Sequence, residues 1–315
     1  MSLSIVAFNA NGFSSSEPYI SELYDKYDVV CLSEHWLPGT ELYKLQNISD
    51  SIVSKCANEL TDGPPKAGRG FGGVAILWKG TLTACEVKGI TSDRIAAIRL
   101  KSLGKDILIL CVYMPGREYG IPKYKEVLQC IEVVLAEYSE QCEIIIVGDF
   151  NASLDEHAGP RSTGNCTKQG DLLMDLLTGN GLLCGDVQAQ SIGPKYTFRK
   201  EGIGQSWIDH VMISKSLYKN AVECGIHQES NLNLSDHLPV FIKLTVCLPE
   251  RKTEILGERV RYQWHKVDKE AMDVGYTKIS DKYVANLKMH NKHELFSNND
   301  IESAIDRVTK VLGQA

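Results

Sequence analysis

The segment VGDFN, residues 147–151, places a carboxylate and an amide at the end of an apolar run. Residues 144–146 are three isoleucines, which favour a buried strand. Side chains two positions apart on a strand share a face, so we expect Asp149 and Asn151 to point the same way. Asp149 could accept a proton from an attacking water, and Asn151 could hold that water or a phosphate oxygen. The segment therefore predicts part of an active site at a strand end.

Other predicted strands also end in polar residues that an apolar core would not select. These residues are Asn9, Asn11, Glu34, Tyr113, Asp209, Asp236 and His237. In α/β folds, ligands bind beyond the strand ends and the reactive residues come from different strands. We therefore expect these side chains to converge on one site with Asp149 and Asn151.

The residue types indicate phosphate chemistry assisted by a hard cation. Glu34 with amide oxygens and water suits Mg²⁺, and no cysteine lies at these strand ends to favour zinc. Asp209 and His237 could pair, so that the carboxylate fixes the imidazole tautomer and supports its positive charge. Tyr113 could donate a hydrogen bond to a phosphate oxygen. The sequence has no Gly-x-x-x-x-Gly-Lys loop and no Gly-x-Ser-x-Gly elbow, so water is the expected nucleophile.

Each of these residues also has an ordinary structural explanation. Asn9 and Asn11 are typical turn formers before a glycine, and Glu34 could be a solvated strand end. Asp209 could bond only to the backbone, because buried carboxylates need partners, and Asp236 could form an Asx turn. The spacing of the other histidines selects none of them for the site: His35, His157, His210 and His227. The coincidence of the whole set at strand ends favours a shared site.

A series of strands and helices must position these side chains. Apolar runs predict strands over residues 3–8, 28–32, 72–78, 95–100, 106–113 and 240–246, and one that carries Asp149. Helices are predicted over residues 17–27, 121–138 and 169–178, the last closed by Gly179. A β-hairpin is expected around residues 200–204, between strands over 196–199 and 207–214. The first strand, helix and second strand resemble a βαβ unit.

Composition restricts the class of protein and the domain organisation. The 315 residues are 43% hydrophobic and 23% charged, and no apolar run is long enough to span a bilayer. The N-terminus lacks the features of a signal peptide, so secretion is not expected. The ten cysteines form no C-x-x-C pair and are predicted to be buried thiols. A net charge of −6 argues against general coating of nucleic acid, although a local basic groove stays possible.

The composition of the chain changes near residue 248, beyond which charged residues are frequent and apolar residues are sparse. We interpret residues 1–247 as one domain and 248–315 as a charged, partly helical extension, with one helix predicted over residues 300–312 and capped by Asn299.

The strand-end motifs occur in the order typical of the endonuclease/exonuclease/phosphatase superfamily, which the sequence resembles over residues 1–247. The motifs are Asn9-Ala10-Asn11-Gly12, Ser33-Glu34-His35, Val112-Tyr113-Met114-Pro115, Gly148-Asp149-Phe150-Asn151, Tyr196-Thr197-Phe198, Ile208-Asp209-His210 and Ser235-Asp236-His237-Leu238-Pro239-Val240. The resemblance implies an α/β fold of the deoxyribonuclease-I type, a four-layer α/β/β/α sandwich of two mixed sheets.

Within the superfamily, the sequence most resembles the apurinic/apyrimidinic-type endonuclease of LINE-type (non-LTR) retrotransposons. The resemblance rests on Asn11 in place of the aspartate usual in repair endonucleases, on residues 70–77, on Tyr196-Thr197-Phe198 and on residues 207–211. It implies a Mg²⁺-dependent enzyme, with Mn²⁺ as a substitute, that nicks one strand of double-stranded DNA to leave a 3′-hydroxyl for target-primed reverse transcription. The extension resembles a linker to a reverse transcriptase and its RNA. Action in the nucleus, with a cytoplasmic stage, is implied.

The same resemblance implies a role for each site residue. Glu34 is the main metal ligand, assisted by Asn9 and Asn11, and Asp236 lies beside the metal. Asp149 orients or deprotonates the water, Asn151 holds it or the phosphate, and Tyr113 contacts the phosphate. Asp209 supports His237, which stabilises the transition state. The residues implied to contact DNA near the hairpin are Lys195, Thr197, Arg199, Lys200 and Ser235. Insertion of that hairpin into a groove would favour deformable sequences.

Three hypotheses stay open at this point, and the nicking endonuclease is the first of them. A relative in the same superfamily could act on abasic DNA, on RNA or on a phosphoinositide, because the Ser-Asp-His-x-Pro-Val motif recurs in those branches. Asn11 argues against strong abasic-site activity, since an amide is a weaker metal ligand than a carboxylate. A host-adopted binding module that keeps the fold without the chemistry is a third possibility.

Overall fold

Two β-sheets packed face to face form the centre of the fold. The computed structural model describes residues 2–56 and 71–249. The strands are β1 (Ser2–Asn9), β2 (Val29–Ser33), β3 (Ile52–Lys55), β4 (Val74–Trp78), β5 (Ala84–Glu86), β6 (Ile95–Leu100), β7 (Asp106–Tyr113), β8 (Cys142–Asp149), β9 (Leu182–Cys184), β10 (Phe198–Lys200), β11 (Gly204–Ser206), β12 (Asp209–Ser214), β13 (Ala221–Ile226) and β14 (Val240–Thr245). The helices are α1 (Phe13–Lys26), α2 (Tyr43–Gln46), α3 (Gly120–Tyr138), α4 (Lys168–Gly179) and α5 (Lys215–Tyr218).

The sheets are mixed, and each contains one parallel pair. The first has the order β13-β14-β1-β2-β4-β3, and the second has the order β5-β6-β7-β8-β12-β9. The parallel pairs are β1 with β2 and β7 with β8, while their other neighbours are antiparallel. Both parallel pairs lie in the middle of their sheets. Strand β1 packs over β8, and β2 packs over β7 and β8.

Helices cover the outer faces of the two sheets. Helix α1 buries Phe13, Ile20 and Leu23 against the first sheet. Helix α3 buries residues at helical spacing, among them Tyr124 and Ile131, in a core that includes the second sheet. Because the central strands are covered on both faces, their apolar runs are continuous rather than alternating. The result is the predicted four-layer α/β/β/α sandwich.

Strands β6 and β7 have the predicted bounds, whereas other element ends differ for local reasons. Helix α1 begins four residues earlier than predicted, because Phe13 is buried and the hydroxyls of Ser15 and Ser16 donate to backbone carbonyls before the helix. Helix α4 includes Gly179, and Gly181 is the residue in the left-handed region. Five strands of the described residues were not predicted, since they are short or partly polar: β3, β5, β9, β11 and β13.

The hairpin is built differently from the prediction. Strand β10 pairs with the short, polar strand β11, and not with β12. All six residues of β12 are buried, so this strand belongs to the second sheet, where it pairs with β8 and β9. The hairpin is therefore a separate two-stranded unit beside the second sheet.

The described residues belong to one unit of the chain, Met1–Lys252. The boundary after residue 247 stays a prediction, and the helix predicted over residues 300–312 with its cap Asn299 lies outside the described residues. Among the described residues, no helix is long and apolar enough to cross a membrane. Five of the cysteines are buried as predicted, whereas Cys85, Cys166 and Cys247 are exposed.

Candidate active site

Strand ends from both sheets meet at one edge of the sandwich. Asn9 ends β1, and Glu34 directly follows β2, the parallel neighbour of β1. In the second sheet, Tyr113 at the end of β7 lies beside Asp149 at the end of β8. Asp209 at the start of β12 is the antiparallel partner of Asp149. The register thus brings together residues that lie far apart in the sequence.

One amide joins the polar groups of the two sheets. Asn9 is only 1% exposed, and its Nδ2 donates to Glu34 Oε1 and to Asp149 Oδ2, both at 2.9 Å. Its Oδ1 accepts from the backbone N–H of Asn11 at 3.1 Å, which fixes the orientation of the amide. The Nδ2 group is a donor and cannot ligate a cation, so the predicted ligand role of Asn9 would fall to Oδ1, which has a second lone pair. The Nδ2 group of Asn9 holds the two carboxylates in place.

Asp149 is a buried carboxyl group that can exchange a proton near neutral pH. Burial raises its pKa to about 7, and the negative charges of Asp209 and Glu34 act in the same direction. The positive charge of His237 opposes this shift. A carboxylate with such a pKa is suited to act as a general base on water.

Asp209 and His237 form a buried pair next to Asp149. His237 Nδ1 lies 2.8 Å from Asp209 Oδ2. Burial alone would lower the pKa of His237, but Asp209 outweighs this effect and raises it to about 10. Ligand atoms of Asp149, Asp209 and His237 all lie within 4.8 Å of one another. Because Nδ1 faces Asp209, Nε2 is the nitrogen that can donate to a substrate.

Asn151 reaches the site by a turn and not by strand alternation. Strand β8 ends at Asp149, and Asn151 has a φ of 49°, in the left-handed region. Its backbone N–H donates to Asp149 Oδ1 at 2.8 Å, and its Nδ2 donates to the Met114 carbonyl at 2.9 Å. The expectation that Asp149 and Asn151 share a strand face was therefore wrong. Gly148 is required before this turn, because a β-carbon there would clash with the Val112 carbonyl oxygen.

Asn11 follows β1 in the same kind of turn. It has a φ of 46° and donates from Nδ2 to Asp236 Oδ1 at 3.0 Å. The other oxygen of Asp236 accepts from Lys200 Nζ at 3.1 Å. Asn11 and Asp236 thus lie together at the site, and Lys200 ties the hairpin to them.

Two residues that were predicted to contact DNA make hydrogen bonds within the protein. Thr197 is fully buried, and its Oγ1 accepts from the backbone N–H groups of Ile208 and Asp209, both at 3.0 Å. A side chain so placed cannot touch DNA, and it positions Asp209. Ser235 Oγ donates to the Asn9 carbonyl at 2.8 Å and accepts from the His237 N–H at 3.1 Å. Both hydroxyls therefore hold catalytic candidates in place.

The exposed basic residues predicted to bind DNA lie on and before the hairpin. Lys195 and Arg199 are exposed, and Arg199 forms an ion pair with Glu229 at 2.7 Å. A cavity of about 410 Å³ is lined by residues of the hairpin together with Asn151. Its lining includes Arg117, Asn151, Phe198, Ile203, Ser206 and Ile208. DNA contact by Lys195, Arg199, Lys200 and Ser235 stays a prediction.

Sequence reasoning missed an arginine beside Tyr113. Arg94 is 1% exposed, and its guanidinium carbon lies 5.1 Å from the Tyr113 ring centroid and 5.0 Å from that of Tyr119. Its Nε and Nη2 have no hydrogen-bond partner within residues 2–56 and 71–249. Burial, and then the charges of Glu34 and Asp149, raise the pKa of Tyr113 well above its usual range, so its phenol stays a donor. No motif marks Arg94, which resembles an ordinary charged residue at a strand start.

The donor set of the site fits a hard divalent cation. Glu34 is half-buried, Asp149 shares the Asn9 amide with it, and the nearby groups offer oxygen and no thiolate. A second buried cluster, Cys184, Asp186 and His210, does not offer a donor set of this kind for a hard cation. Both oxygens of Asp186 already accept hydrogen bonds, from Val211 N–H and from Trp207 Nε1 among others. This second cluster is a structural network.

Comparison with known proteins agrees with this fold. Residues 6–237 match the model of the Endonuclease/Exonuclease/phosphatase family, and the chain belongs to this family. It is thus an enzyme that hydrolyses phosphoester bonds, and enzymes of this family depend on a divalent metal ion. A search of curated protein sequences gave no significant match.

Several solved structures share the fold. The endonuclease domain of TRAS1, a telomere-specific non-LTR retrotransposon, is 14% identical, with a TM-score of 0.56 over 78% of this chain and 99% of that one. The Xenopus laevis APE2 catalytic domain is 16% identical, with a TM-score of 0.59 over 79% and 94%. The Neisseria 3′ phosphatase NExo, bound to a product DNA hairpin, is 20% identical, with a TM-score of 0.56 over 77% and 99%. These similarities confirm the predicted fold.

Proposed function

We propose that this protein is a Mg²⁺-dependent endonuclease that nicks one strand of duplex DNA and leaves a 3′-hydroxyl. The observation that carries the proposal is the Asn9 amide, which links Glu34 of one sheet to Asp149 of the other, next to the Asp209–His237 pair. This arrangement combines a cation ligand, a base with a pKa of about 7 and a cationic donor within one cleft.

The side chains have distinct roles in the proposed reaction. Asp149 takes a proton from a water that attacks the phosphorus, while Asn151 orients the water. The bond from phosphorus to the 3′ oxygen breaks, and that oxygen takes a proton from solvent water, which yields a 3′-hydroxyl and a 5′-phosphate. His237 Nε2 and the Tyr113 phenol donate to phosphate oxygens as negative charge develops there. A divalent cation held by Glu34 would supply further positive charge beside the phosphate.

The surroundings of the cleft support a DNA substrate. Lys195, Arg199 and Lys200 place positive charges on and before the hairpin, although the whole chain has a net charge of −6, and Arg199 and Lys200 form ion pairs with Glu229 and Asp236. Exposed basic side chains of this kind suit phosphate contacts along a duplex. The TRAS1 neighbour is an endonuclease domain of a non-LTR retrotransposon, which supports a role in target-primed reverse transcription. In that role the chain would be joined to a reverse transcriptase with its RNA, and would act in the nucleus after a cytoplasmic stage.

A second function in the same class is favoured by the cavity beside Asn151. Its volume of about 410 Å³ could accept a sugar or a base displaced from the duplex. Solved neighbours include AP endonucleases and a 3′ phosphatase. Hydrolysis at an abasic site or of a 3′-phosphate is therefore the alternative proposal.

Nicking of supercoiled plasmid tests the main proposal. With Mg²⁺, the wild-type protein should produce open circles, and Asp149→Ala or His237→Ala should lower the rate by about 10²–10⁴-fold, the range for loss of a proton-transfer group. His157→Ala, at an exposed histidine outside the site, is the matched control and should nick normally. Equal nicking by all four proteins would contradict the assignment. Cleavage confined to abasic or 3′-phosphate duplexes would favour the alternative.

A further inference from the structure

Trp36 makes a direct contact with the carboxylate that we assign to the metal. Its indole Nε1 donates to Glu34 Oε2 at 3.1 Å, while Asn9 Nδ2 donates to the other oxygen, Oε1, at 2.9 Å. A donor on each oxygen restricts rotation of the carboxylate group. The indole has no acceptor nitrogen, so Trp36 cannot itself ligate a cation.

The loop after β2 has an unusual backbone that brings Trp36 back to Glu34. Both residues have positive φ angles, 50° for Glu34 and 58° for Trp36, a backbone conformation that is strained for residues other than glycine. His35 between them is fully buried and anchors the loop. Its Nδ1 accepts from the Leu37 N–H at 3.0 Å, and its Nε2 lies 2.9 Å from the Lys55 carbonyl. Strain of this kind is typical of functional sites.

Gly12, in the turn after β1, leaves the space that the indole ring of Trp36 fills. A β-carbon at position 12 would lie 2.6 Å from Cε3 of Trp36, so only glycine allows the ring to lie there. The Gly12 N–H also donates to the Glu34 carbonyl at 2.9 Å. The turn after β1 and the loop after β2 therefore interlock around the carboxylate of Glu34.

We infer that Trp36 is a positioning residue that aims the Glu34 carboxylate at a divalent cation. The inference rests on the metal role of Glu34 in the proposed function. Each carboxylate oxygen has two lone pairs. A hydrogen bond from an N–H group uses one lone pair, and the second lone pair of the same oxygen can ligate a cation. Groups that hydrogen-bond to metal ligands change metal affinity by about 10–100-fold when they are removed. Trp36 should therefore affect metal binding more than the reaction at saturating metal.

The test is the substitution Trp36→Phe, which keeps an aromatic ring and removes the N–H. Binding of Mn²⁺, followed by electron paramagnetic resonance of the free ion, should weaken by about 10–100-fold, and the nicking rate at saturating metal should stay near the wild-type rate. Trp78→Phe is the matched control, since it removes a buried indole at the end of β4, away from Glu34. This substitution should leave Mn²⁺ binding unchanged. Unchanged Mn²⁺ binding in Trp36→Phe would overturn the inference.

Two further measurements separate this inference from the proposed function. If Glu34→Gln binds Mn²⁺ as well as wild type does, then the metal role of Glu34 fails, and with it the proposed function. If Glu34→Gln loses binding but Trp36→Phe does not, only the inference fails. Should Trp36→Phe not fold, the indole ¹⁵N–H resonances of wild type decide the question. The Trp36 signal should shift on titration with Mg²⁺ while the Trp78 signal stays in place, and an unmoved Trp36 signal would overturn the inference.

Discussion

At the scale of single residues, the charges of three neighbouring groups determine what the site can do. Asp149 lies beside Asp209 and Glu34, which favour its protonated form, and beside His237, which favours its ionised form. Asp209 in turn keeps His237 positively charged. The site therefore holds a group able to accept a proton and a group able to donate a hydrogen bond over the same range of pH.

The rate of nicking should depend on pH in a way that these two groups set. Asp149 must be ionised to accept a proton, so the rate should rise as pH increases through about 7. His237 must be protonated to donate, so the rate should fall as pH approaches about 10. The measurement is the nicking rate at subsaturating Mg²⁺ between pH 5.5 and 10.5 in steps of about 0.5. A rate that is constant between pH 6 and 8 would contradict the role of Asp149.

Asp149 should also lower the stability of the fold. Its pKa is higher in the folded protein than in the unfolded chain, so folding favours the protonated form, and this contribution is lost as pH rises through about 7. We expect Asp149→Asn to melt at a higher temperature than wild type at pH 8, and by a smaller margin at pH 5.5. Thermal denaturation at the two pH values measures this. A lower melting temperature of Asp149→Asn than of wild type at pH 8 would contradict the prediction that the ionised Asp149 carboxylate destabilises the fold.

At the scale of elements, the strand ends could be predicted and their turns could not. Continuous apolar runs predicted the bounds of β6 and β7, and the family motifs predicted the polar residues at the strand ends. The positive φ angles of Asn11, Glu34 and Asn151 depend on hydrogen bonds that close each turn, which strand alternation does not describe. Arg94 and Trp36 were missed because their contacts with Tyr113 and Glu34 belong to no motif.

Substitutions at Thr197 test whether this residue, which was predicted to contact DNA, has a structural role. Thr197→Val keeps the shape of the side chain but removes the acceptor for two backbone N–H groups, so it should lower the free energy of unfolding by about 1–3 kcal/mol. Thr197→Ser retains the hydroxyl and should restore most of that stability. Urea denaturation and DNA affinity are measured together. If Thr197→Val weakened DNA binding without changing stability, the original prediction of DNA contact would be correct.

At the scale of the whole molecule, the two sheets have to pack correctly for a site to exist. Asn9 and Asp149 are 140 residues apart and belong to different sheets. The order of the motifs along the chain indicated the family, and the family implied the sandwich, but the Asn9 contact depends on how β1 packs over β8. Sequence patterns describe single elements, so they predicted which residues form the site without predicting which atoms meet.

The chemistry of the cut ends tests the central claim most directly. A duplex of defined sequence, with one strand labelled, is incubated with the protein and Mg²⁺, and the nicked product is given to a DNA polymerase and separately to a DNA ligase. The proposed reaction predicts a single-strand nick that the polymerase extends and the ligase reseals, since the ends are a 3′-hydroxyl and a 5′-phosphate, and no nick with Asp149→Ala. A nick with a 3′-phosphate end, or equal nicking by Asp149→Ala, would contradict it.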